Sequence, residues 1–148
     1  WPCLSKYYLP FTLTSLPPNK SIISSPLTLY QFGNAGQGWN PGPYRSLIQV
    51  LGVNENWNKA TLNWNNAPYA SEFISESYVD TLHTLPPWPG IPRTWDVSSA
   101  VADAYAVKHP LRLVLYSADR PMHSGKYFYS SDADPEGRPM LQVLWGDP

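Results

Sequence analysis

The residues of this chain able to do acid–base, nucleophilic or metal chemistry are few and scattered. His83, His109 and His123 stand alone, with no His-x-His or His-Glu-x-x-His pair to place two imidazoles on one face of an element. A metal held by them would need distant segments to converge. Cys3 has no motif around it and no Gly-x-Ser-x-Gly elbow occurs, so nucleophilic catalysis has no support. Glu72, Glu76 and Asp80 gather near one strand and could supply the two carboxylates of glycoside hydrolysis. Charged side chains on the wet face of a strand explain them more simply. The expectation is a protein that is not an enzyme. In SSDADPEGRP, Asp132, Asp134 and Glu136 fall at alternate positions in a glycine-containing turn. Oxygen ligands so spaced can hold a structural Ca2+, the one candidate cofactor. The other reading is a polar hairpin loop in which a carboxylate pairs with Arg138.

The elements that would position these groups have a period of two. YYLPFTL (residues 7–13), PLTLYQF (26–32) and LRLVLYS (111–117) alternate apolar and polar residues. SLIQVLGV (46–53), ATLNW (60–64), ISESYVD (74–80), GKYFYSS (125–131) and PMLQVLW (139–145) complete the predicted strands. GNAGQGWNPGPY (33–44) is a Gly/Pro/Asn loop and HTLPPWPGIP (83–92) a proline-stiffened connector. One stretch, DVSSAVADAYAVKHP (96–110), predicts a helix, capped by Asp96 or Ser98 and stopped by Pro110. Short strands with one short helix predict an all-β, antiparallel sandwich.

With 148 residues and no internal repeat or linker, the chain reads as a single domain over 1–148. Charged residues are only 14%, while aromatics reach 14%, with ten Tyr and seven Trp. A formal charge of −1 makes no field to gather nucleic acid or an anionic membrane. No apolar run reaches the roughly 18 residues that a membrane-spanning helix needs. A single cysteine excludes an internal disulfide and a Cys-based zinc site. WPCLSKYYL lacks the charged and apolar regions of a signal peptide and reads as a mature or trimmed start.

Several stretches together resemble a known family. PFTLTSLPPNKSI, SSPLTLYQF, VNENWNKATLNWNNAP, WDVSSAV and GKYFYSSDADPEGRPMLQV follow, in order and spacing, the pattern of the bacterial and archaeal DNRLRE domains, related to carbohydrate-binding module family 96. The resemblance runs from about Lys6 to Trp145. It implies a jelly-roll β-sandwich of the kind appended to secreted polysaccharide-active enzymes and cell-surface proteins. The implied function is non-catalytic binding of a polysaccharide, outside the cell or on its surface, in the service of a catalytic domain of the parent protein. Such modules begin with a further strand upstream, for which this chain starts too late. That implies a trimmed N-terminus or an edge closed by another chain. The alternative is therefore a structural or adhesive surface module that self-associates through an incomplete sheet edge.

In the family pattern Trp57 and Trp64 are framework positions. Trp57 follows an apolar strand and Trp64 shares the parity of Leu62, so both are expected to plug the end of the core. Trp95, in step with Val97, and Trp145, in step with Leu141 and Val143, are also expected to face inward. Asn63, Asn65 and Asn66 are expected to cap strand ends and form Asx-turns before Pro68. Ligand-facing aromatics then fall on the outward parity. If the leucines of each strand point in, Tyr8, Tyr30, Arg112 and Tyr116 point out. If Phe128 points in, as in the family pattern, Tyr127 and Tyr129 point out. Tyrosine offers a ring face to the C–H face of a sugar and a hydroxyl to its hydroxyls. Trp39 and Tyr44 in the Gly/Pro loop, and Trp88 among prolines, are candidate pre-organised platforms. Arg93, Arg120 and Lys126 are candidates to pair with uronate carboxylates if the ligand is acidic.

Overall fold

The computed structural model describes residues 5–40, 42–119 and 123–148. Cys3 and Arg120 lie outside the described residues. In chain order the elements are β1 (Tyr7–Phe11), β2 (Ser21–Ser24), β3 (Pro26–Asn34), β4 (Ser46–Gly52), β5 (Phe73–Val79), β6 (Ile91–Asp96), α1 (Ser98–Ala106), β7 (Leu111–Ser117), β8 (Lys126–Phe128), β9 (Met140–Leu141) and β10 (Leu144–Gly146). The first sheet has the order β1-β7-β4-β5. The second runs β6-β3-β8, with β9 also on β3, and a two-stranded ribbon joins β10 to β2. All pairings are antiparallel. The chain alternates between the sheets in the manner of a jelly roll.

Strict alternation explains why the sheets stack. Leu9, Ile48, Val50, Leu111, Leu113 and Leu115 from the first sheet meet Leu27, Leu29 and Trp95 from the second in one core. Trp95 is 2% exposed, and its Nε1–H donates to the Ile48 carbonyl at 3.1 Å, which ties β6 to β4 across the core. The helix closes one end of that core with Ala100 and Val101.

Several expectations need correcting. ATLNW is not a strand. Its amides are satisfied locally: Asn65 N–H donates to Asn63 Oδ1 at 2.9 Å, and Asn63 N–H to Asn66 Oδ1 at 2.7 Å. Asn66 Nδ2 closes the turn on the Thr61 carbonyl at 2.9 Å. Asparagine side chains here outcompete a sheet ladder. Trp64 is therefore 63% exposed, its ring 5.6 Å from the Lys6 ammonium. Trp57 packs edge-on to Tyr8 on the outside of the first sheet rather than in the core. Residues 139–145 are not one strand but β9 and β10, and a register shift between Leu144 and Trp145 turns Trp145 out of step with Leu141 and Val143. Trp145 lies exposed beneath the Lys20 ammonium.

Two strands were missed. In β6 the inward positions are Ile91, Arg93 and Trp95, and an inward arginine beside Pro92 hides the alternation. The proline is tolerated because β6 is an edge strand. The short β2, Ser21–Ser24, lies outside all the predicted strands. The helix is shorter than the predicted 96–110, and neither proposed residue is its N-cap. Val97 occupies that position, while Asp96 accepts from the Ser98 amide at 3.0 Å. Lys108, at φ +56°, ends the helix before Pro110 is reached.

Gly90, between the Trp88 loop and β6, takes φ +100°, and a Cβ there would stand 2.6 Å from the Gln31 carbonyl oxygen. Gly90→Ala is expected to cost about 1–3 kcal/mol of stability, read by urea unfolding.

Candidate aromatic ligand surface

The outer face of the second sheet gathers a line of four rings. On β3 the outward positions are Thr28, Tyr30 and Phe32, since Leu27, Leu29 and Gln31 face the core. On β8 the outward residue is Tyr127, because Lys126 and Phe128 point in. Tyr129 continues this edge, its amide donating to the Tyr30 carbonyl at 3.1 Å. Phe32 stacks on Tyr129 at 4.5 Å and lies 6.0 Å from Tyr127. Trp88 meets Tyr129 edge-on at 4.9 Å. The order along the face is thus Trp88, Tyr129, Phe32, Tyr127.

The seats of the outer two rings are set by glycines. A Cβ on Gly137 would stand 2.5 Å from the Trp88 ring, and one on Gly33 would stand 3.0 Å from the Tyr127 ring. Only a residue without a side chain lets each ring settle on the backbone. Trp88 is 47% and Tyr127 48% exposed, so each keeps about half its surface for a ligand. Between them Tyr129 and Phe32 are half-buried. Tyr7 on β1 donates its hydroxyl to the Tyr129 carbonyl at 2.6 Å, which anchors the platform to the first sheet. Burial pushes the Tyr7 phenol up to about 12, with the charge of Asp132 adding to the shift. Apart from Asp96 at its far end, already engaged with Ser98, no strand position on this face is charged.

The sequence profile of carbohydrate-binding module family 96 matches residues 4–144. The chain belongs to that family. A search among curated proteins returned no relative.

The family 96 module thus divides its candidate aromatics among three places. Tyr30, Trp88, Tyr127 and Tyr129 share the outer face of the second sheet, together with Phe32. Phe32 was not singled out from sequence, although it has the parity of Tyr30. Tyr8, Arg112 and Tyr116 lie on the outer face of the first sheet. There Tyr8 is roofed: it contacts Trp57 and donates to the Pro68 carbonyl at 2.8 Å. Trp39 and Tyr44 belong to the loop beyond β3, where Trp39 lies 5.8 Å from the His123 ring and Tyr44 N–H donates to the His123 carbonyl at 3.2 Å.

Of the expected uronate-binding cations, neither Arg93 nor Lys126 is at the ring face of the module. Arg93 points into the sandwich and donates to Gln31 Oε1 at 2.9 Å. Lys126 is buried, with its ammonium donating to Ser46 Oγ at 2.7 Å, to the Ser124 carbonyl at 2.8 Å and to the Tyr44 carbonyl. These partners replace water for a cation drawn in by the alternation of β8. Burial lowers the Lys126 pKa to about 8. The unfolded chain holds that proton up to its ordinary value near 10.5, so between the two the unfolded state binds more protons and stability rises with pH. The melting temperature is expected to climb from pH 7.5 to 9.5, and Lys126→Met to lack that climb in parallel calorimetry.

In the 132–136 loop, Asp132 pairs with Lys59 at 3.3 Å. Arg138 donates to the Ala133 carbonyl at 2.7 Å rather than to a carboxylate. Among the described residues, no three His, Cys, Asp or Glu side chains are gathered so as to hold a metal ion. Glu72, Glu76 and Asp80 are all exposed, and Glu76 accepts from Gln49 Nε2 at 2.9 Å.

Proposed function

We propose that this module binds a neutral polysaccharide and releases it unchanged, the sugar chain lying along Trp88, Tyr129, Phe32 and Tyr127. The observation that carries the reading is the ring line itself: four aromatics in contact on an outer sheet face, with the end rings half open. Ring faces receive the C–H faces of sugars, and the tyrosine hydroxyls are available for sugar hydroxyls. Neutrality follows from the absence of charge along the strands of this face and from the inward placement of Arg93 and Lys126. A secreted or surface protein would carry the module, and a linked catalytic domain would gain effective concentration at an insoluble substrate.

The test is a pull-down against insoluble cellulose, xylan, mannan, chitin and alginate, with soluble sugar assayed in the same tubes. Retention on a neutral polymer without sugar release is the expected result. Retention on alginate alone would overturn neutrality, and release of sugar would assign chemistry to the carboxylates. Failure on every polymer would remove the binding reading.

A further inference from the structure

The connector that carries Trp88, residues 80–90, joins β5 to β6 and is exposed at 83–85 and again at 87 and 88. Its base closes on two inward side chains of β3. Asn34 grips Leu82 twice: its Oδ1 accepts from the Leu82 amide at 3.0 Å, and its Nδ2 donates to the Leu82 carbonyl at 2.7 Å. Gln31 Nε2 donates to the Asp80 carbonyl at 3.1 Å and to Asn34 Oδ1 at 3.0 Å. The Arg93 guanidinium, donating to Gln31 Oε1, fixes which way that amide faces. At the far end of the connector Gly90 lies against the Gln31 carbonyl, and Ile91 is the register partner of Gln31. Both ends of the connector thus meet at one residue. Gln31 is wholly buried and Asn34 is 4% exposed.

Buried amides with their partners in place hold one geometry, because each alternative leaves a donor or acceptor unpaired away from water. Pro86, Pro87 and Pro89 carry that geometry onward, since each ring locks its own φ. Trp88 then reaches Tyr129 and Gly137 already ordered. Parity divides the work of β3: Phe32 faces outward into the ring line, while Gln31 and Asn34 face inward and hold the base of the loop that completes it. We infer that Asn34 and Gln31 are positioning residues for the polysaccharide site, touching no sugar and acting on affinity through Trp88. The inference rests on the ring-line reading. A ring ordered before binding loses little freedom when the sugar arrives, so loosening the base weakens binding without removing a contact.

The experiment is a double-mutant cycle on the intact module. Affinity for cellohexaose, xylohexaose, mannohexaose and chitohexaose is measured by calorimetric titration, well below the melting temperature of every variant. Asn34→Ala is expected to weaken binding of the hexaose that the wild type takes by about tenfold. In Trp88→Ala the same change is expected to cost nothing further. In Tyr127→Ala, which retains Trp88, the full loss should remain. Arg93→Met, on an edge strand, runs the same cycle and is read in the same way if Asn34→Ala does not fold. No loss in the Trp88 background, or an equal loss with and without Trp88, overturns the inference and leaves the ring line standing. Wild-type affinity in Trp88→Ala, or a wild type that binds none of the hexaoses, overturns the ring-line reading and this inference with it.

Discussion

Replacing Trp88 and Tyr127 together by alanine is expected to weaken binding at the ring line by roughly a thousandfold, while the protein remains folded. Each ring presents about half its surface and sits rigidly on a glycine. Aromatic anchors of this kind contribute about 2 kcal/mol each, or roughly thirtyfold in Kd. The rings lie at opposite ends of the line, and their effects should combine nearly additively. Neither belongs to the buried core, so the melting temperature should fall only slightly. Trp145→Ala, a change of the same residue type on the β2–β10 ribbon, should leave retention intact. Affinity gel electrophoresis with parallel calorimetry would check all three variants. Equal retention of the double variant and the wild type would remove the ring line as the site.

Trp95→Ala is expected to have the largest effect on stability, about 3–5 kcal/mol. The indole is almost wholly enclosed between the sheets and meets Phe128 edge-on at 5.9 Å. Truncation leaves a cavity that β-strands fixed by their ladders cannot close. It also strips the Ile48 carbonyl of its indole donor, adding about 1 kcal/mol. Trp64→Ala provides the contrast: exposed among asparagine turns, it should change stability by no more than about 0.5 kcal/mol. Urea unfolding of the two variants side by side measures the difference. Both tryptophans looked like framework from sequence, so this pair separates pattern from burial.

What could be read from the chain depended on whether local pattern and tertiary surroundings agreed. LRLVLYS alternates because one face meets the core, and β7 appears over those residues. PLTLYQF likewise located most of β3. Pattern failed where side chains satisfied the backbone locally, as Asn63 and Asn66 do around Trp64. It failed again where a polar residue pointed inward, as Arg93 does toward Gln31 in β6. A register shift misplaced Trp145, since a change of ladder register leaves no mark on alternation. For the candidate site, parity located Tyr30, Tyr127 and Tyr129. Parity cannot tell which outward ring is roofed, and the cover over Tyr8 comes from a segment distant in sequence. Nor does it reveal that Trp88, from a proline connector, arrives beside Tyr129.

The lack of charge on the strand positions under the ring line has a consequence for the conditions under which it works. Counterions weaken an attraction by screening it, with a Debye length that falls from about 10 Å at 0.1 M to about 3 Å at 1 M salt. Contacts between ring faces and sugar C–H groups give them nothing to screen. The hold on the polymer at this face should therefore be the same in dilute buffer and in brine. It would yield to heat or to competing sugar rather than to a change in salinity.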